Sequence, residues 1–264
     1  MRIILYLRLF AEQCKLSFMS AAIYRANFWL MLIQSFINSA AGILLVEFIY
    51  GSVDTIAGWS KDEMVILICT SMIVNQLFRG FIHFNQNRFI GSVGDGSFDR
   101  MLLRPLGVVF QTSTGRVDYS CILSASAPLV VLIARAGGLG RAGDAGTIAL
   151  YILFVLNGVL VLSAFMLLLY SSAFMFIKVD GLTGLYYLVM DIADRPKEMF
   201  AREFMYGFIF IIPAIPLANA PASILLGKSS PQLMAVYLGV GLLFASASYL
   251  AIKMGLRRYT SASS

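Results

Sequence analysis

The sequence predicts an all-α integral membrane protein: six transmembrane helices, an N-terminal amphipathic interfacial helix, and a short cytoplasmic helix between spans two and three. Three observations carry this. Only 13% of the 264 residues are charged while 59% are hydrophobic, and mean hydropathy is +0.82; soluble domains average about 25% charged residues. Apolar runs recur at a length of about 20 residues, which a helix needs to cross a hydrocarbon core of about 30 Å. Basic residues also concentrate on alternate connections, as the positive-inside bias requires.

Each element follows from local pattern. In residues 1–26, Ile4, Leu7, Ala11, Cys14 and Phe18 recur at helical spacing, with Arg8, Glu12 and Lys15 opposite. That suits a helix lying in the membrane surface, and its charges interrupt any signal-peptide core. Spans are expected at 27–50, 63–83, 118–135, 147–177, 203–226 and 231–252. Trp29 and Tyr50 bracket the first, and Tyr151 and Tyr170 are spaced for an aromatic belt on the fourth, which is long enough to tilt. Pro213, Pro216 and Pro221 bar a straight fifth helix, so a break is expected near 213–216, with residues 217–227 as an outward-side re-entrant piece.

With the N-terminus inside, all 20 basic residues except Lys61, Arg135, Arg141 and Lys228 fall on cytoplasmic segments. Among them are Lys178 and a second polar patch at residues 191–203 containing Arg195, Lys197 and Arg202. Both termini are therefore expected in the cytoplasm, and the net charge of +6 is a topology signal and an attraction to anionic lipid. Nucleic acid is not a required partner. The largest cytoplasmic segment is the loop 84–117.

No catalytic constellation emerges. His83 is the single histidine, at the inner end of span two, and reads as an interfacial residue; Cys14, Cys69 and Cys121 lack metal-ligand spacing. "ASILLGKSS" imitates the end of a phosphate loop, but Ala222 replaces the first glycine and no strand precedes it. The chain is thus expected to be no enzyme and to bind no cofactor or metal of its own. Charges well inside the spans are almost absent; Glu47 is the exception and lies near an outer end, which argues against an ion-coupled carrier. Gln34 and Asn38, one turn apart on span one, together with Asn75 and Gln76, form a candidate substrate path with Pro213 and Pro216. Hydrogen bonding between helices is the alternative for these amides and for Asn157, as close packing is for Gly241 and Ala245.

The stretch 94–106, "GDGSFDRMLLRPL", is a charged knot between oily helices. Glycines 91, 94 and 96 are expected to break the extended second span, Ser97 to cap a short helix, and Pro105 to end it. Met101, Leu102 and Leu103 beside Asp99, Arg100 and Arg104 suit docking into a groove on a soluble partner; a helix lying on lipid headgroups is the alternative.

"GSVGDGSFDRMLLRPLG", with "YRANFWL", "GWSKDEM" and the proline-rich stretch after "ADRPKEMF", resembles the ABC type-2 export permeases over essentially the whole chain. The narrower likeness is to a bacterial six-span branch formerly described as a domain of unknown function. The resemblance implies one permease domain, 1–264, in the bacterial cytoplasmic (inner) membrane. It would pair with a second copy or a related permease, and with two cytosolic ATPase subunits that hold ATP and Mg. Gly94, Gly96, Asp99, Arg100, Leu102, Leu103, Arg104 and Pro105 would then form the coupling helix region, with Arg195 and Glu198 as a lesser contact. The implied function is ATP-driven export of a hydrophobic or amphipathic substrate. An ion-coupled secondary carrier and a non-transporting membrane scaffold are the competing readings.

Overall fold

The computed structural model describes residues 2–138, 144–174 and 181–259. Among the described residues the regular structure is helical, apart from an isolated antiparallel bridge between Ile56 and Trp59. Helix α1 (Arg2–Ile23) leads into α2 (Arg25–Ile49). A turn with left-handed Ala57 and Gly58 (φ 49° and 79°) then feeds α3 (Lys61–Phe78). Glu63 in the first turn of α3 accepts the Ser60 N–H at 3.1 Å, half of a capping box.

A π-helical turn, Arg79–His83, joins α3 to α4 (Phe84–Gly94), making one rod of 34 residues. At 1.5 Å per residue the rod is about 50 Å long, so its last turns project beyond a core of about 30 Å. Short helices α5 (Phe98–Leu102) and α6 (Val108–Ser113) follow. The kinked pair α7 (Tyr119–Ser124) and α8 (Ser126–Gly138) returns across the bundle, and α9 (Ala145–Tyr170) crosses it again. Then come α10 (Leu182–Ala193), α11 (Arg202–Phe210), α12 (Ile215–Leu225) and α13 (Pro231–Arg258). The end of the bundle bearing 94–106 is the loop end, and the end bearing residues 57–58 the turn end.

Among the described residues, five helices are long and apolar enough to cross a membrane: Arg25–Ile49, Lys61–Gly94, Tyr119–Gly138, Ala145–Phe174 and Pro231–Arg258. They match five expected spans, although the second runs on to Gly94 and the last to Arg258, beyond the expected 83 and 252, and 175–177 of the fourth lie outside the described residues. The fifth expected span, 203–226, is corrected. It is the pair α11–α12, bent by 105° at residues 211–214, where Pro213 sits. The pair begins and ends at the turn end: Trp59 Nε1 donates to Glu198 Oε2 at 2.9 Å before it, and Lys228 pairs with Glu63 at 2.7 Å after it. The pair is therefore a re-entrant element. Residues 182–198 make the fifth passage instead, antiparallel to α3: Tyr186 meets His83 and Asn75, Asp194 lies beside Ser71, and Glu198 reaches Trp59.

This moves Arg195, Lys197 and Glu198 to the opposite end from 94–106, with Arg202 opening the helix that follows. The basic bias toward the loop end persists without them, through Arg88, Arg100, Arg104, Arg116, Arg257 and Arg258. Lys178 and Arg141 lie outside the described residues. The turn end is tied by ions: Arg135 pairs with Glu47 and, at 2.6 Å, with Asp62, while Lys61 pairs with Glu47 at 2.9 Å. The one expected in-span charge is thus neutralised.

Helix α9 is the centre of the bundle, packed on α3, α12 and α13. All of α12 is buried, as are Pro213 and Ala214 at the bend before it. Gly158 admits α12: an added Cβ would stand 2.7 Å from the Leu217 carbonyl oxygen. Asn157 Nδ2 donates to the Tyr237 carbonyl at 3.1 Å beneath Gly241, a helix–helix hydrogen bond of the kind expected for these amides if they do not line a path. The belt expectation for Tyr151 and Tyr170 is also corrected. Both are buried, with hydroxyls 3.2 Å from Thr70 and Asn87 respectively, so they stitch α9 to the rod.

Helix α1 lies at the loop end. Gly107 N–H donates to Tyr6 at 3.2 Å, Val117 N–H to Ser17 at 3.0 Å, and Tyr119 to the Cys14 carbonyl at 3.0 Å. Of its predicted stripe, Ile4, Leu7, Ala11 and Phe18 are exposed and Cys14 is half-buried, while Arg8, Glu12 and Lys15 opposite are exposed as well.

Candidate functional site

Two features stand out, and one rod carries both. At the loop end, the helix runs through Gly91 and ends at Gly94, and of the three glycines only Gly96 takes positive φ (72°). Ser97 does not cap α5 as expected. Instead Asp95 Oδ1 accepts the Ser97 N–H at 2.8 Å, and hydrogen bonds from Ser97 hold its carboxyl below the usual carboxylate range. Left-handed backbone costs an L-residue about 1–2 kcal/mol. Gly96→Ala is therefore expected to lower stability by about that much, whereas Gly94→Ala, with open space around it, should not. Hydrogen exchange of the 95–106 amides in the two variants checks this.

From this turn, α5 is anchored from below. Phe98 is fully buried, with ring centroids 5.5 Å from Phe89, 5.5 Å from Phe174 and 5.2 Å from Tyr259. Gln111, missed in the sequence, clamps the far side: its Nε2 donates to the carbonyls of Met101 at 3.1 Å and Leu106 at 2.9 Å. Nothing in an isolated glutamine signals such a role. Between the anchors, Arg100, Leu102, Leu103, Arg104 and Pro105 are exposed, Leu103 to 85%. Asp99 is partly buried on the same turn. This is a stiff, apolar-and-basic knob. Arg195 and Glu198, expected to assist it, stand at the turn end and cannot touch the same partner face.

The second feature is a polar cavity of about 410 Å³ between α2, α3 and α10. It brings together all four amides read as a path, Gln34, Asn38, Asn75 and Gln76. Pro213 and Pro216 do not line it; both are buried at the bend into α12. Its walls are pre-set by hydrogen bonds, Tyr186 to Asn75 and Gln76 to Ser35 at 2.6 Å.

The cavity also holds charge that the sequence pattern places elsewhere. Arg79 and His83 line one end, and Asp194 lines it near Ser71. Ser71 is about 15 Å along α3 from Lys61, well inside the bundle. The π turn explains the first pair. The Gly80 carbonyl accepts the Asp118 N–H at 2.7 Å, and a Cβ there would stand 2.6 Å from Ile122. Glycine thus lets α7 approach, and π turns of this kind often mark functional sites. His83, expected at the inner end of span two, lines the cavity there, and its ring stacks on Tyr186 at 5.0 Å.

The family model described as "ABC-2 family transporter protein" matches residues 36–263. No curated protein and no solved structure matches the chain.

Proposed function

Because the chain belongs to the ABC-2 transporter family, we propose that it is the transmembrane permease subunit of an ATP-driven exporter for a hydrophobic or amphipathic substrate. ATP and Mg are held by two cytosolic ATPase subunits, and a second permease copy or a related permease completes the complex. The protein sits in the bacterial inner membrane with the loop end, and both termini, in the cytoplasm. One observation carries the coupling: the rod Lys61–Gly94 lines the cavity with Asn75, Gln76, Arg79 and His83, and ends in the braced knob.

A push on that knob is transmitted because its anchors leave it little freedom to yield. Closure of the ATPases moves the rod relative to α2 and α10, opening the cavity to alternate ends, a bistable element biased by a ligand it never touches. Exposed Leu102 and Leu103 fill a partner groove, while Arg100 and Arg104 meet acidic groups at its rim. With the complex reconstituted, Leu103→Glu with Arg104→Glu is expected to cut permease-stimulated ATP turnover about tenfold or more, the scale of losing an anchor residue. Full stimulation in that variant removes the assignment.

An ion-coupled carrier keeps one observation in its favour, Asp194 inside the cavity. Transport that persists with the ATPase removed would select it.

A further inference from the structure

Two residues that line the cavity, Gln76 and His83, carry buried polar atoms whose own partners are missing, and their chemistry can be read. Ser124 Oγ donates to the Cys121 carbonyl at 2.7 Å, so it accepts from Ser35 at 2.9 Å. Ser35 has then spent its proton and must accept from Gln76, at 2.6 Å, which fixes the Gln76 amide with nitrogen toward Ser35. Gln76 is 6% exposed, and its Oε1 is left as a buried acceptor without a partner. With Tyr170 donating to Asn87 Oδ1, Asn87 Nδ2 turns to His83 Nε2 at 3.1 Å. The imidazole proton then sits on Nδ1, also buried and without a partner.

A buried polar atom left unpaired costs about 1–3 kcal/mol, and folded proteins carry few of them. His83 lines the same cavity as Arg79 one turn away, and Gln76 and Asp194 line it too. Among the described residues neither Arg79 nor Asp194 is held in an ion pair; Arg195 pairs with Asp191 at 2.8 Å instead.

We infer that the cavity takes a zwitterionic group, its anion on Arg79 and its cation on Asp194. This rests on the reading of the cavity as the substrate path and names the class of substrate within it. The rise from Ser71 to Arg79 along α3 puts the two charged poles on the order of 10 Å apart. Each pole supplies its own charge-assisted contact, so a ligand with both charges binds more tightly than one with either alone. A soluble amphipath and a phospholipid headgroup can both carry such a group; the chemistry is shared.

The test uses three matched probes bound to the purified full chain in phosphatidylglycerol nanodiscs. They are α-N-dansyl-lysine, its methyl ester, which lacks the anion, and its ε-acetyl derivative, which lacks the cation. The zwitterion should bind about tenfold or more tightly than either. Arg79→Gln should abolish preference over the ester, and Arg79→Lys should restore part of it. Asp194→Asn should abolish preference over the acetyl form. Arg88→Gln, outside the cavity on the same rod, should change neither. Equal binding of all three probes, or preferences intact in both cavity variants, overturns the inference. Repeating the titration with phosphatidylethanolamine in the nanodisc separates the sources: displacement assigns the site to a headgroup, and unchanged binding to a soluble amphipath. No ATPase is needed, so failed coupling through Leu103 and Arg104 would sink the exporter reading while leaving this result readable.

Discussion

Phe98→Ala is expected to release residues 98–106 and to abolish coupling without dismantling the bundle. The side chain is fully buried against Phe89, Phe174 and Tyr259, and together these rings join α4, α5, the 3₁₀ turn after α9 and the segment after α13. Truncating a buried phenylalanine costs about 3–5 kcal/mol, the sum of lost transfer energy and the cavity left behind. Edge-to-face ring pairs add about 0.5–1.5 kcal/mol each. Helix α5 has five residues and cannot hold its shape unaided. Once its anchor goes, Gln111 alone must brace the knob. Hydrogen exchange should show protection lost across 98–106 and retained in α9, with ATPase stimulation falling alongside it. Phe98→Leu, which keeps most of the volume, should recover much of both. Unaltered exchange in the alanine variant would show that the knob is braced by something else.

Gly158→Val should be the most damaging single change to the bundle itself. The first added carbon would meet the backbone of Leu217, 2.7 Å from its oxygen and 3.3 Å from its Cα, and backbone cannot swing aside as a side chain can. Helix α12 is buried along its whole length, so it has nowhere to retreat. Overpacking of this kind costs about 1–3 kcal/mol and occasionally more. The thermal midpoint in detergent should drop by many degrees, whereas Gly184→Ala, with open space around it, should leave it unchanged or slightly raised. A valine variant as stable as the parent would mean that α9 and α12 do not meet at this point.

Hydropathy makes most of the spans legible, because a helix of about 20 apolar residues matches the thickness of a bilayer core and little else. The prolines locate the bend at 211–214. The pairing of Gln34 with Asn38 on one helical face points at the cavity with no knowledge of a third helix. The fifth passage escapes these rules. Helix α10 has 12 residues, too few to register as a span, and residues 194–200 finish the traverse as a turn and a short 3₁₀ helix. Omitting one crossing reverses the side of everything up to the next, so hydropathy places Arg195 and Glu198 with the knob when they stand opposite it. The same slip puts Asp194 in water. Arg79 and His83 resemble residues at a membrane boundary, since nothing local says that a π turn aims both into a cavity.

By itself, then, the sequence determined that this is a helical membrane protein with a charged, proline-ended knob in its longest connection. Those properties follow from local rules: transfer free energy summed over a turn-by-turn window, and backbone restrictions at single prolines. Only the tertiary structure decided which segment makes the fifth passage, how the knob is seated, and that amides from two helices share a cavity with Arg79, His83 and Asp194. Sidedness accumulates along the whole path, and a cavity exists only where helices distant in sequence converge, so neither can be computed from any one window of residues.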